Sequence, residues 1–169
     1  QLGLPAGQDA LVHAGAGQLV QTDQHRLTRL PARRAVLNEV VGQVKEPSMF
    51  VTFAALRFHG PRRVEFTLAG HLPVLWFRAS TGEVRGLDAE SMPLGVDDSE
   101  TYATAHVDCD PGDLLVLYTD GLTEVTNAAG TQFGLAEFRE LIRTHGTKPL
   151  AEIYSGVLSA VRAHGPQTD

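Results

Sequence analysis

The sequence predicts an α+β domain, and three observations lead there. Two stretches with apolar residues at helical spacing precede residue 47, short β-rich segments fill residues 49 to 118, and two amphipathic stretches follow residue 134. Helices, then a strand block, then helices place the helices on sheet faces, without the strand-helix alternation of a parallel α/β fold.

The first stretch, Pro5 to about Val20, carries Leu11, Val12, Ala16, Leu19 and Val20 near helical spacing, with Pro5 suited to a first turn. It predicts a helix, against the cost of Gly15 and Gly17, each about 1 kcal/mol relative to alanine. Polar residues 21 to 29 form a link. A second helix is expected from about Pro31, with Val36, Leu37, Val40, Val41 and Val44 as its apolar face and Pro47 beyond its end.

The strand block opens with Met49 to Phe58, and His59-Gly60-Pro61 turns the chain. Arg63 to Leu68 alternates as a half-buried strand should. Ala69 to Pro73 is a second turn, Val74 to Ala79 another strand, Ser80-Thr81-Gly82 a turn, and Glu83 to Leu87 a short strand. Residues 88 to 99 read as a loop holding Met92-Pro93-Leu94-Gly95. Tyr102 to Val107 alternates again, and Asp110-Pro111-Gly112-Asp113 turns the chain into Leu114 to Tyr118. Short turns between short strands predict an antiparallel meander. After Asp120 a loop is expected, with turn residues Asn127 to Gly130. A helix from Leu135 to about Thr144 follows, with Leu135, Phe138, Leu141 and Ile142 on one face and His145-Gly146 as its stop. The last helix, about Pro149 to Ala163, has Ile153, Val157, Leu158 and Val161 as its core stripe.

At 169 residues the chain matches one ordinary domain, with no internal repeat, linker or low-complexity tract. It opens on Gln1 and not on methionine, so a fragment, a processed product or the ordered part of something longer is expected. With 43% hydrophobic and 20% charged residues the composition is that of a soluble globular protein. The net charge of −6 and the lack of a basic block beyond Arg62-Arg63 argue against nucleic-acid binding. Cys109 is alone, so no internal disulfide can form, and no Cys/His spacing suggests zinc. No run reaches transmembrane length and no signal peptide opens the chain, so membrane insertion is not expected and a reducing, cytoplasmic setting is.

The residue that needs explaining is Asp120. The run Leu114-Leu115-Val116-Leu117-Tyr118 reads as a strand buried on both faces, and it ends in Thr119-Asp120-Gly121. Burying or half-burying a carboxylate there costs several kcal/mol unless it is paired or binds a metal. An Asx-turn is the plain structural account. Three chemistries use a strand-end aspartate or its surroundings. An aspartyl-phosphate enzyme of the haloacid dehalogenase type needs a nucleophilic Asp where Tyr118 stands. A serine hydrolase needs a Gly-x-Ser-x-Gly elbow, which is missing. A dinuclear metal phosphatase gathers carboxylates from several strand ends around hard cations, and oxygen ligands suit Mg²⁺ or Mn²⁺. Asp120 by itself does not select it.

The ordered set of pieces does more. Gly3-Leu4-Pro5-Ala6, Met49-Phe50-Val51-Thr52, Ala69-Gly70-His71-Leu72-Pro73, Pro93-Leu94-Gly95, Pro111 through Glu124, and Asn127 with Gly130 through Gly134 follow one another along nearly the whole chain. In these pieces it resembles the SpoIIE/RsbU branch of the metal-dependent, type 2C-like (PPM) Ser/Thr protein phosphatases. The resemblance implies two antiparallel β-sheets packed face to face and flanked by helices, with a site for two Mn²⁺ or Mg²⁺ ions at one edge. It implies hydrolysis of phosphoserine or phosphothreonine on an anti-anti-sigma-like (STAS-type) regulator in bacterial partner-switching signalling. Asp120 resembles one metal-binding aspartate of the family, and Asp169 resembles the first residue of its closing Asp-Asp/Asn-Thr motif. Gly121, Glu124, Asn127 and His71 are candidates for the surroundings of the cations. Glu124 and Asn127 read equally as loop caps, and His71 reads better as a structural turn histidine. Asp97-Asp98 reads as a solvated loop, and Asp108, Asp110 and Asp113 as turn formers. Trp76 reads as core.

The family's first motif, Gly-Asp-x-x-Gly-His-Gly, departs most. Its last three places fall on Gln1, Leu2 and Gly3, only Gly3 matches, and the bridging Asp would precede Gln1. Motifs clipped at both ends read as truncation rather than loss, so Asp120 is expected in an incomplete site. The rival reading is a catalytically incomplete phosphatase-like module that binds a partner protein. A sensor domain in a longer protein and a homodimer are compatible with either.

Overall fold

The run Leu114–Tyr118 forms a strand because both of its faces are covered. In the computed structural model, which describes residues 12–14, 38–43 and 49–165, alternate residues of this strand enter two different cores. Leu114, Val116 and Tyr118 pack toward the C-terminal helices, while Leu115 and Leu117 pack toward a second sheet. That double burial is why no polar residue interrupts the run.

In order, the elements are β1 (Val12–Ala14), a helical stretch α1 (38–43), β2 (Phe53–His59), β3 (Arg63–Ala69), β4 (Val74–Arg78), β5 (Glu83–Leu87), β6 (Ala105–Asp108), β7 (Leu114–Tyr118), α2 (Asp120–Thr123), α3 (Gly134–His145) and α4 (Leu150–His164). One sheet has the order β1-β7-β4-β5 and the other β2-β3-β6. The pairings β2·β3, β3·β6, β4·β5 and β4·β7 are antiparallel, and β1 runs parallel to its neighbour, β7. The expected antiparallel strands are therefore present, but not as one meander. After β5 the chain crosses to the other sheet to form β6 beside β3, then returns to form β7 beside β4.

The two sheets meet through Val64, Phe66, Leu68 and Val107 on one side and Val74 and Leu115 on the other, with Trp76 and Leu87 partly buried beside them. The second core joins Leu75, Phe77, Val116 and Tyr118 to Phe138 and Ile142 of α3 and to Ile153, Val157 and Val161 of α4. The layers are thus helices, sheet, sheet, as an amphipathic helix face and a two-sided apolar sheet require.

Four expectations need correcting. Within the expected first helix, Val12–Ala14 is a strand, in register Val12↔Val116 and Ala14↔Tyr118; a β-branched residue and Gly15 and Gly17 oppose helix there, and the exposed edge of β7 offers partners. The rest of that stretch, and of the expected second helix outside 38–43, lies beyond the described residues. The strand expected from Met49 begins at Phe53, with Val51 making an isolated bridge to Leu94. The strand expected from Tyr102 begins at Ala105, since the Tyr102 hydroxyl instead lies within hydrogen-bond reach of both Asn38 Oδ1, at 3.1 Å, and the Pro93 carbonyl, at 3.3 Å. The loop expected after Asp120 starts as the helical turn α2.

Two polar residues hold the connections in place. Asp113, read from the sequence as a turn former, accepts the Trp76 indole N–H at 3.0 Å, the Ala79 amide at 2.9 Å and the Asp110 amide at 3.0 Å. It ties the turn before β7 to the end of β4. Asp113→Ala is expected to lower stability by about 2–3 kcal/mol, because it strands the indole and two amides; a urea midpoint shift at constant slope checks this. Asn38 on α1 is buried, donates to the Asp97 carbonyl at 2.8 Å and accepts the Gly95 amide at 2.7 Å. It fastens α1 to the loop between β5 and β6. No described helix is long and apolar enough to cross a membrane.

Candidate functional site

Asp120 follows β7 directly and opens α2. Leu122 and Val125 are drawn into the helix-side core, which leaves Asp120, Gly121 and Glu124 facing out. The expectation of a buried or half-buried carboxylate is therefore wrong: Asp120 is exposed, because the chain leaves the sheet before its side chain. One carboxylate oxygen accepts the Gly121 amide at 2.8 Å. The Asp120 carbonyl accepts the Glu124 amide at 2.8 Å and the Thr123 hydroxyl at 3.2 Å, which closes the turn. Just before it, Tyr118 is buried against Phe138, and burial pushes its phenol pKa up.

Strand directions decide what else reaches this end of the sheet. β4 is antiparallel to β7, pairing Leu75 with Val116 and Phe77 with Leu114, so β4 starts where β7 finishes. The turn before β4, residues 70–73, therefore lies at the Asp120 end. β5 pairs Leu87 with Val74, so the loop after β5 leaves from this end too. β1 also finishes there, with Ala14 beside Tyr118. The turn before β4, the loop after β5 and the end of β1 thus gather around the end of β7.

The His71 turn is closely specified. Gly70 has φ +58° and donates its amide to the Ser91 carbonyl at 3.1 Å. A Cβ on Gly70 would lie 2.4 Å from Cγ and 2.8 Å from the backbone nitrogen of Pro93. Glycine is required twice over, by conformation and by contact, and this explains why Ala69-Gly70-His71 and Pro93-Leu94-Gly95 occur together. Gly70→Ala is expected to cost about 1–3 kcal/mol from the left-handed conformation, with the overlap added; thermal unfolding of the variant checks it.

Of the expected site residues, Asp120, Gly121 and Glu124 share one exposed turn, and the His71 turn comes to the same end of the sheet. Asn127, which reads equally as part of the cations' surroundings and as a loop cap, makes capping contacts. Its Oδ1 accepts the Ala129 and Thr131 amides, both at 3.0 Å, and so caps the following loop. Asp97 likewise accepts the Ser99 hydroxyl and amide, which hold its carboxyl below the usual range, at a solvated loop as expected. Asp169 lies outside the described residues. Asn38 was not anticipated; its only trace in the sequence is one amide within an otherwise apolar helical stripe.

Hard divalent cations take several oxygen ligands each. Among the described residues, no group of three or more His, Cys, Asp or Glu side chains is arranged to hold a metal ion. The described residues alone therefore do not fit a cation pair, and no step is derived through one.

In the described residues, two stacked sheets carry α3 and α4 on one face and a strand ends in an exposed Asp-Gly turn, an arrangement that matches PP2C-like phosphatase structures. Residues 7–169 match the family model of Stage II sporulation protein E (SpoIIE). The chain belongs to this family. It is 25% identical over 126 residues to the phosphoserine phosphatase RsbU of Bacillus subtilis, a match covering 74% of this chain and 37% of RsbU. The chain thus spans well under half the length of that relative. Among solved structures, the RsbU and RsbW domains of a Mycobacterium tuberculosis protein align with a TM-score of 0.67 at 20% identity, over 83% of this chain and 40% of that one. The SpoIIE phosphatase domain of Bacillus subtilis, presoaked with Mn, aligns with a TM-score of 0.55 at 14% identity, over 92% and 72%. At these identities the structural likeness speaks for the fold.

Proposed function

We propose that the chain is the phosphatase domain of a metal-dependent protein Ser/Thr phosphatase. It removes phosphate from phosphoserine or phosphothreonine on a regulatory protein, and an anti-anti-sigma-like (STAS-type) regulator is the substrate its resemblance favours. Mn²⁺ or Mg²⁺ is the cofactor, with Asp120 as one ligand and Asp169 as a second. The setting is the cytoplasm. The observation that carries the reading is the exposed carboxylate of Asp120, in a chain whose family match runs through the same turn. Exposure suits a ligand better than a structural role, since among the described residues the carboxylate bonds only within its own turn. The fact that the described carboxylates form no cluster supports the rival, a module that binds its partner without turnover.

The test is phosphate release from a phosphoserine peptide by the protein expressed from its complete reading frame, with and without Mn²⁺. Cation-dependent release that is lost in Asp120→Asn supports the enzyme. Equal release by the variant, or none by the parent, overturns it, and binding of a phosphoprotein without turnover favours the module.

A further inference from the structure

Five of the large apolar side chains exposed among the described residues gather at one place. Met49, Phe50, Val51, Met92 and Val96 are 55%, 62%, 39%, 48% and 52% exposed. The bridge between Val51 and Leu94 brings their two segments together. The Leu94 amide donates to the Val51 carbonyl at 2.8 Å, and the Val51 amide to the Leu94 carbonyl at 3.4 Å. Each of these side chains stands at the bridge or within two residues of it, about 7 Å along the chain. Both methionines of the chain are among them, and methionine adapts readily to the contour of a partner. Exposed apolar surface of this extent, on the order of a few hundred Å², marks an interaction site.

The segment that carries Met92 and Val96 is fastened along its length. The Ser91 carbonyl accepts the Gly70 amide at 3.1 Å, and the Pro93 carbonyl lies 3.3 Å from the Tyr102 hydroxyl. Asn38 takes the Gly95 amide at 2.7 Å and donates to the Asp97 carbonyl at 2.8 Å. A surface held in this way loses little freedom when a partner binds.

Charge selects the occupant. No Lys or Arg occurs between Arg85 and Arg139, and the exposed Glu90, Asp97 and Asp98 flank Met92 and Val96 in the chain. None of these three carboxylates forms an ion pair among the described residues. A second copy of the chain would set them against their own kind, and an anionic lipid surface would meet them with like charge.

We propose that this patch docks an amphipathic segment of a partner protein, apolar on one face and bearing Lys or Arg beside it. The apolar centre supplies the contact area, and the acidic residues steer the partner in and reject acidic segments. The docking stands whether or not the chain turns over phosphate.

The experiment uses the full-reading-frame protein and a fluorescent helical peptide of leucine and lysine, apolar along one face, with binding read by anisotropy. Binding in the micromolar range that weakens as salt rises is expected. Phe50→Ser combined with Met92→Ser should weaken it at least about tenfold. Glu90→Gln combined with Asp98→Asn, which leaves the apolar residues in place, should weaken it about threefold or more. Tyr154→Ser, at an exposed aromatic on α4, should leave it unchanged. A leucine and glutamate peptide of the same pattern should bind at least about tenfold more weakly than the lysine peptide. No binding by the parent, parent-like binding by either double variant, an equal loss in Tyr154→Ser, or equal binding of the glutamate peptide overturns the proposal. Binding of the parent to phosphatidylglycerol vesicles, or a dimer of the parent that Phe50→Ser with Met92→Ser dissociates, also overturns it by giving the patch another occupant.

Discussion

Asp120→Asn is expected to abolish phosphate release while leaving the fold untouched. On the proposed reading, with Asp120 as a cation ligand, the substitution would forfeit several kcal/mol of transition-state stabilisation, a fall of about 10³-fold or more. The same substitution should shift stability by no more than about 0.5 kcal/mol, because the side chain is exposed and its one described bond is to the next amide. The pairing of these outcomes is the prediction. Measuring phosphate release and the urea midpoint on the same preparation checks it, and an equally large loss of stability would recast Asp120 as a structural turn residue.

Phe138→Ala is expected to behave in the opposite way. Phe138 is fully buried and meets Tyr118 edge-on, with ring centroids 5.1 Å apart. It is the contact by which α3 presses on the last residue of β7, two positions before Asp120. Truncation leaves a cavity at a site walled by a strand and two helices that cannot easily collapse, at a cost of about 3–5 kcal/mol. Denaturant unfolding should show that loss. At temperatures where the variant remains folded, substrate turnover should fall much less than in Asp120→Asn.

The residues differ in how much of this was legible beforehand. β7 and β5 lie where the apolar run and the short alternation put them, and α3 and α4 lie within a residue of their expected ends. These are local signals, since periodicity and turn residues act on neighbours in sequence. Val12–Ala14 was misread because alanine, glycine and spaced aliphatics suit a helix or an edge strand alike, and the partner that decides is more than a hundred residues away. The crossing of β6 to β3 was invisible for the same reason. At the site, the turn carrying Asp120 was legible, but its exposure was not. The apolar run reads as burial up to Tyr118, and only the inward pull of Leu122 shows where burial stops. Asn127 reads equally as part of the cations' surroundings and as a cap, and only the structure shows its oxygen on two loop amides.

By itself, then, the sequence determined an α+β chain of the SpoIIE type, with Asp120 at the end of a two-sided strand. Composition, period and motif order are properties of the chain alone. Only the tertiary structure decided that His71 shares that end of the sheet, and that Gly70 must be glycine because Pro93 lies against it. It also decided that Asp113 and Asn38 carry the connections. Each of these depends on which strands pair and in which direction, a choice made by burial summed over residues distant in sequence.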